Sequence, residues 1–398
     1  MGQDTSSMVE LHASPTAAAA VQLACELVAV DSVNPGLVPG AAGEQRIVEL
    51  LASRLTRSGF TVTVVPGAED GGRPSLVAAP PARPGAATVV LNGHLDTVGV
   101  AGMTDPFVPR VEGDRLLGRG AADVKGGVAA LVVAAEQLVA TGTPVRPVLA
   151  LVADEEDASI GSESVIATLP DLGIQPDVCL IAEPTDLVVT RSLRGFAVVR
   201  VRFPGQAAHS SQAELGVNAV THLGRFLHAL DEQAPAVRAQ GGDLMATVVT
   251  GGSSAFVVPD SAECLVEMRL TPEQPCAQAL DVVTALLDPR WRATAELVAG
   301  REGWRLDEQG VAAELGRALG DALDTGAVFD APYWMEAPLW QELCPTVVCG
   351  PSGGGLHAAD EWLDLSQLRA FADSLVTVLE GSQFVDIPAA GTTDRSST

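Results

Sequence analysis

Histidines and acidic residues recur in this sequence at one kind of position, close behind segments predicted to be buried strands. His94 and Asp96 follow the apolar run TVVLNG, for example. The whole set is His94, Asp96, Asp123, Glu155, Glu156, Glu183 and His357. Open α/β sheets bind ligands at the carboxyl ends of their strands, where these side chains would meet. Carboxylates crowded there would repel one another, and a cation is the simplest stabilising partner.

Two histidines and three carboxylates, one of them shared, can hold two divalent ions and leave positions open for water. Zinc accepts this set of nitrogen and oxygen ligands, and cobalt or manganese could replace it. Two ions roughly 3.5–4 Å apart would activate a bridging water and polarise a carbonyl oxygen. A histidine that binds metal usually donates its other N–H to an acceptor, so we expect Asp96 to orient His94.

Each of these residues also has a plain structural explanation. A single histidine after a strand is more often structural, and adjacent Glu155 and Glu156 could simply begin a polar loop. Asp123 could cap a helix, and Glu183 precedes Pro184 in what could be a solvated turn. The metal hypothesis is favoured because the same context recurs for all of them.

The intervening elements predict a three-layer α/β/α catalytic domain with a mostly parallel sheet. Buried strands alternate with helices, which is typical of that architecture. Helices are expected at about 16–29, 43–58 and 126–140, and strands at 60–65, 88–96, 147–157, 177–186 and 344–350.

A smaller α+β domain is expected to interrupt the catalytic domain. From about residue 192 apolar and polar residues alternate, which indicates half-exposed antiparallel strands. The predicted order is β-α-β-β-α. We therefore expect the catalytic domain to comprise 1–191 and 299–386, the inserted domain 192–298, and a disordered tail 387–398.

Composition narrows the classes of function. The formal charge is −26, which argues against a nucleic-acid partner. Six cysteines form no CxxC pair and no secretory signal opens the sequence, so we expect reduced thiols and a cytoplasmic protein. The apolar stretch 126–140 is too short to span a bilayer and carries Glu136, so no membrane partner is expected.

Several motifs resemble those of the dinuclear zinc amidohydrolases, the family of acetylornithine deacetylase, succinyl-diaminopimelate desuccinylase, aminoacylase and glutamate carboxypeptidase. They are GHLDTV, GRGAADVKGG, AEPT, GQAAHSS and GPSGGGLHAADEW. The similarity extends over about 15–370, and the motifs occur in the family's order. The sequence is therefore identified as a member of this family.

The resemblance implies a role for each site residue. One ion would be held by His94, Asp123 and Glu183, and the other by Asp123, Glu156 and His357. Glu155 would be the general base that takes a proton from the bridging water. The inserted domain would be a lid and dimerisation module. Its His209 would reach the partner's active site, and Arg269 would bind the substrate carboxylate. Lys125 and Arg119 are expected to position the Asp123 loop.

The resemblance also implies the reaction, hydrolysis of the amide bond of an N-acyl amino acid. A dipeptidase or carboxypeptidase, and a metal-free relative acting as a binding protein, remain alternatives. The segment FVVP carries Phe256 where the family often has asparagine, which suggests a more apolar substrate. Tyr333, Trp334 and Glu336 could line the pocket or simply pack. The segment GPSGG fits G-x-S-x-G, which keeps Ser352 as a candidate serine nucleophile.

Overall fold

The computed structural model describes residues 13–67 and 72–381, which divide into two compact units. The first unit contains the described residues up to Thr190, Leu306–Phe329 and the described residues from Leu339 onward. The second contains Arg191–Arg305 and Asp330–Pro338. The tail predicted at 387–398 lies outside the described residues.

The elements, in chain order, are α1 Pro15–Val28, α2 Gln45–Arg57, β1 Thr61–Val65, β2 Ser75–Ala79, β3 Ala87–His94, β4 Arg110–Glu112, β5 Arg115–Leu117, α3 Gly126–Thr141, β6 Val145–Val152, α4 Ile160–Thr168, β7 Val178–Ile181, β8 Thr190–Leu193, β9 Gly195–Pro204, α5 Ala219–Ala239, β10 Asp243–Gly251, β11 Ser261–Leu270, α6 Gln278–Ala285, β12 Thr294–Arg301, β13 Trp304–Arg305, α7 Val311–Ala322, β14 Phe329–Ala331, α8 Ala337–Gln341, β15 Thr346–Val348, β16 Gly353–Gly354, β17 Trp362–Asp364 and α9 Leu365–Glu380. A π-helical turn, Ala121–Lys125, precedes α3.

The first unit contains the predicted α/β sheet. Its six strands have the order β1-β2-β6-β3-β7-β15. The pairings of β6, β3, β7 and β15 are parallel, and β2 runs opposite to both of its neighbours. Every residue of β3 is buried, because successive side chains point to opposite covered faces. The predicted fold class is confirmed.

Helix α3 lies at the centre of the first unit's core. It packs against α1, α9 and the strands β3 and β6. Among the described residues, Ala121–Thr141 is the one helical segment long and apolar enough to cross a membrane, and most of it is buried inside the protein. Its apolar character is accounted for by this central position in the core.

A small four-stranded sheet of the first unit connects two loops that carry predicted metal ligands. Its order is β16-β17-β5-β4. The Asp123 loop follows β5, and the His357 loop joins β16 to β17. Because Trp362 of β17 pairs with Leu117 of β5, the two loops are held at neighbouring positions.

The second unit is built on an antiparallel sheet with the order β10-β11-β9-β12. Helices α5 and α6 pack on it, and alternate residues of β9 and β11 are buried. The edge strand β12 was not predicted, because most of its residues are exposed and it lacks alternation. The unit also extends beyond the expected 192–298, since β13 pairs with β8.

Candidate metal centre

Asp123 lies between two imidazole rings contributed by distant parts of the chain. Its Oδ1 is 3.0 Å from His94 Nε2, and its Oδ2 is 3.2 Å from His357 Nε2. Glu156 Oε2 is 3.1 Å from the same nitrogen of His357. Potential ligand atoms of His94, Asp123 and Glu156 all lie within 4.8 Å of one another. Each oxygen of Asp123 therefore faces a different histidine, as a bridging carboxylate requires.

The last residue of β3 is His94, and the buried strand fixes its ring at the carboxyl edge of the sheet. Its Nδ1 lies 3.0 Å from the backbone carbonyl of Asp96, whereas the Asp96 carboxylate is 3.6 Å away. The Asp96 carboxylate also helps to raise the pKa of His94, after burial, which lowers it, and the hydrogen bond to Asp123. That this carboxylate orients the ring stays a prediction, and the carbonyl oxygen of the same residue is the nearer acceptor. The short chain turn between the two residues places that oxygen beside the ring. A neutral His94 would keep its proton on Nδ1 and present the Nε2 lone pair to an ion.

The Asp96 carboxylate also holds the loop that carries the two adjacent glutamates. Its oxygens accept the backbone N–H groups of Glu155 and Glu156 at 3.1 and 3.2 Å. Asn34, buried in the first unit, donates to Asp96 at 2.7 Å and to Asp154 at 3.1 Å. The buried Asp96 thus positions the predicted base and a predicted ligand through their main chain.

A partly buried arginine completes this support. Arg73 donates to both oxygens of Glu44 at 2.6–3.0 Å and to Asp154 at 2.7 Å. Glu44 is fully buried, and Asp154 nearly so. Asp154 has a φ of 69°, an uncommon conformation for a residue other than glycine, at the start of the turn that carries Glu155. Arg73, Glu44 and Asn34 lie in none of the sequence motifs and were not predicted to belong to the site.

Glu183 follows β7 and is buried at the same edge of the sheet. Its charge acts on His94, whose pKa it helps to raise. The backbone of Glu183 passes close to Gly350 after β15, where an added Cβ would lie 2.6 Å from the Glu183 carbonyl oxygen. Only glycine permits this approach. The close backbone of Glu183 therefore explains why the loop after β15 has glycine at this position.

The Asp123 loop is held by groups that the sequence analysis only partly identified. Arg119 and Lys125 are buried, as their expected positioning roles require, and Lys125 Nζ donates to the Val30 carbonyl at 2.7 Å. Burial lowers the pKa of Lys125 to about 7. The carboxylate of Glu361, which lies within the GLHAADEW motif but received no role, accepts the backbone N–H of Asp123 at 3.2 Å.

The electrostatics of the cluster fit divalent cations. Hydrogen bonds to Asp123 and Glu156 raise the pKa of His357 to about 10. Burial lowers the pKa of His94, but hydrogen bonds to carboxylates outweigh it and hold that pKa well above its usual value. Burial and the neighbouring Asp123 raise the pKa of Glu156. Its buried Oε1 has no hydrogen-bond partner among the described residues. The cluster thus demands positive charge, and its donor atoms are those that zinc accepts.

The other predicted site residues belong to the second unit. His209 is exposed and has Nδ1 2.8 Å from Ser211 Oγ. Arg269 is paired through Nε with Glu267 at 2.6 Å. Phe256 is 71% exposed, and its carbonyl accepts the N–H of Ser210, next to His209.

Three further residues considered for the pocket also belong to the second unit. Trp334 packs edge-on against Phe196 with ring centroids 6.1 Å apart, and Glu336 is buried. Tyr333 is half-buried. These contacts give Trp334 a packing role within its own unit, and a place for the three in a substrate pocket stays a prediction.

The serine-nucleophile alternative finds no supporting geometry. A nucleophile elbow requires a sharp turn from a strand into a helix. Ser352 is almost fully buried, and it is followed by the short strand β16, which pairs with β17. Its backbone N–H donates to Gln367 at 2.8 Å. We therefore set Ser352 aside.

Residues 90–381 match the model of Peptidase family M20/M25/M40, so the chain belongs to this family. The predicted recognition and the predicted class, a metal-dependent amide hydrolase, are confirmed. The family and the His–Asp–Glu cluster together imply divalent metal ions as cofactor.

Named relatives cover nearly the whole chain. The acetylornithine deacetylase of Proteus mirabilis (strain HI4320) is 27% identical over 380 residues, 90% of this chain and 96% of the relative. The succinyl-diaminopimelate desuccinylase of Stenotrophomonas maltophilia (strain R551-3) is 30% identical over 381 residues, 88% and 96% of the two chains. A tripeptidase structure from Staphylococcus aureus shares the fold, with a TM-score of 0.74, 17% identity and coverage of 92% and 98%.

The network of Arg73 with two buried carboxylates predicts a large stability cost for one substitution. Arg73→Met leaves Glu44 and Asp154 buried without their cation, so the free energy of unfolding should fall by about 3–5 kcal/mol. Urea unfolding of metal-free protein measures this change. The control, Arg369→Met, removes an exposed pair with Asp114 and should change it by about 0–1 kcal/mol. Similar small losses for both variants would show that Arg73 does not support this loop.

Proposed function

We propose that the protein hydrolyses the amide bond of an N-acyl amino acid with the help of two divalent ions bound around Asp123. The observation that carries the proposal is the arrangement of Asp123, whose two oxygens face His94 and His357. The acetylornithine deacetylase and desuccinylase relatives support this substrate class. We further propose zinc as the native ion, with cobalt or manganese as substitutes.

We propose that His94, Asp123 and Glu183 hold one ion and that Asp123, Glu156 and His357 hold the other. Bound ions would lower the pKa of water and polarise the substrate carbonyl. Glu155 is proposed to accept the proton of the attacking water and deliver it to the leaving amine. Asp96 supports that role, because it accepts the backbone N–H of Glu155 and so holds the residue in place beside the cluster.

The second unit is proposed to supply substrate contacts and a dimer interface. Arg269 would bind the substrate carboxylate with the guanidinium N–H groups that Glu267 does not use. Exposed His209 would stabilise the oxyanion in the partner's active site. Phe256 beside it favours an apolar substrate group. The cytoplasm is the proposed location, because none of the six cysteines forms a disulfide.

Neighbouring glutamates provide a matched test of the proposed roles. Glu155→Ala should lower kcat by about 10²–10⁴-fold, the range for losing a general base, while both ions remain bound. Glu156→Ala should instead lose one ion. Elemental analysis of the purified variants, combined with kinetics on one N-acyl substrate, separates the two outcomes. Loss of metal from the Glu155 variant would make that residue a ligand and overturn its role as the base.

A substrate panel tests the proposed chemistry and the role of Arg269. Zinc- or cobalt-loaded protein should cleave N-acetyl or N-succinyl amino acids and lose turnover with a chelator. In Arg269→Ala, kcat/KM for carboxylate-bearing substrates should fall by about 10–100-fold, the value of a charged hydrogen bond, chiefly through KM. Arg202→Ala, which removes an exposed arginine of β9, is the control. Turnover of dipeptides alone would favour the peptidase alternative, and no turnover would favour a binding protein.

Mixed dimers test whether His209 acts across an interface. His209→Ala should reduce kcat without changing metal content, whereas His228→Ala, at an exposed position of α5, should change neither. Random mixing of inactive Glu155→Ala and His209→Ala chains should restore about a quarter of wild-type turnover, since half of the dimers then carry one intact site. No recovery after demonstrated subunit exchange would contradict action in the partner's site.

A further inference from the structure

The buried carboxylate of Glu361 binds the loop that carries Asp123. It is 2% exposed and lies just before β17. One oxygen accepts Arg119 Nη1 at 2.6 Å and the Gly120 N–H at 2.9 Å. The other accepts the N–H groups of Ala122 at 3.0 Å and Asp123 at 3.2 Å. A single side chain thus fixes the backbone of three residues in the Asp123 loop.

Arg119 links the same carboxylate to the loop that carries His357. The arginine is 1% exposed, and its Nη2 donates to the carbonyl of Ala358 at 3.0 Å. Ala358 is the neighbour of His357, and Glu361 ends the same loop. The Glu361–Arg119 pair therefore connects the two loops that contribute Asp123 and His357.

His357 needs this connection more than His94 does. His94 ends a fully buried strand, and its side chain is completely buried. The His357 side chain is 54% exposed, so packing around the ring restricts it little. Its position relative to Asp123 depends on how the loop backbone is held.

We propose that Glu361 and Arg119 are positioning residues that set the separation of Asp123 from His357 and thereby the affinity of the second ion, the one held by Asp123, Glu156 and His357. The inference rests on the proposed two-ion function. Among the described residues, neither side chain hydrogen-bonds to a proposed ligand side chain. They bind backbone N–H and carbonyl groups of the two loops and so hold the proposed ligands at fixed positions.

The isosteric variant Glu361→Gln tests this role. Its amide NH₂ group must face two of the donors that the carboxylate now accepts, so two N–H groups on one side lose their acceptor. The second ion should bind about 10–100-fold more weakly, as with loss of other groups that orient metal ligands. The first ion should be affected less, because two of its three proposed ligands, His94 and Glu183, lie at the ends of β3 and β7 and not in the two loops that this pair joins.

The measurement is a calorimetric titration of metal-free protein with Co²⁺, followed in parallel by the visible absorption of bound cobalt. Glu112→Gln, an exposed residue on β4 of the same small sheet, is the matched control and should titrate as wild type. Arg119→Lys is a second variant, because one ammonium group cannot reproduce both hydrogen bonds of the guanidinium group. Arg119→Lys should also weaken binding of the second ion selectively, and it provides the test if Glu361→Gln fails to fold.

The possible outcomes separate this inference from the proposed function. Selective weakening of the second ion in folded Glu361→Gln or Arg119→Lys supports the positioning role. Two ions bound with wild-type affinity in both variants would overturn it and leave the two-ion function intact. Equal weakening of both ions would overturn the claimed selectivity. Absence of cobalt binding to the wild-type protein would overturn the proposed function itself.

Discussion

The structure of the site depends on one constraint: buried carboxylates at the edge of the sheet must be matched by positive charge. Asp123 satisfies it by facing an imidazole with each oxygen. Hydrogen bonds to Asp123 and Glu156 raise the pKa of His357, which reflects the demand of these acids for positive charge. The remaining features of the site keep Asp123, His94 and His357 in this arrangement.

Two supporting systems perform that task in different ways. Charged and polar side chains, among them Asp96, Asn34 and Arg73, form a hydrogen-bonded network that supports the Glu155–Glu156 loop. At the Asp123 loop, the Glu361 carboxylate binds backbone N–H groups directly. Both are buried, where hydrogen bonds to charged groups are strong and an unpaired partner is costly. The proposed ligands are thus positioned by groups that are not themselves among them.

The sequence indicated most of the proposed ligands because they follow recognisable apolar strands, whereas Asp123 was found in the loop before α3. His94 after β3 and Glu183 after β7 stand where a parallel sheet collects polar residues, and the structure places them at that edge. The family resemblance then supplied the proposed roles. The edge strand β12 lacked a pattern of alternation and was missed.

The supporting residues were not predictable in the same way. Arg73 and Glu44 are far from Asp154 along the chain, and Glu361 is far from Asp123. No local sequence pattern therefore predicts these pairings. The carbonyl oxygen of Asp96 beside His94 was not predicted either, since spacing alone cannot tell a side-chain acceptor from the carbonyl of the same residue. Such pairings depend on tertiary geometry, which spacing along one chain does not encode.

The central claim, that Asp123 bridges two ions, is tested most directly by anomalous X-ray scattering at the zinc edge from crystals of the zinc-loaded protein. The account predicts two peaks, one beside each oxygen of Asp123, the first shared with His94 and Glu183 and the second with Glu156 and His357. A single peak, or a pair of peaks that Asp123 does not bridge, would contradict it.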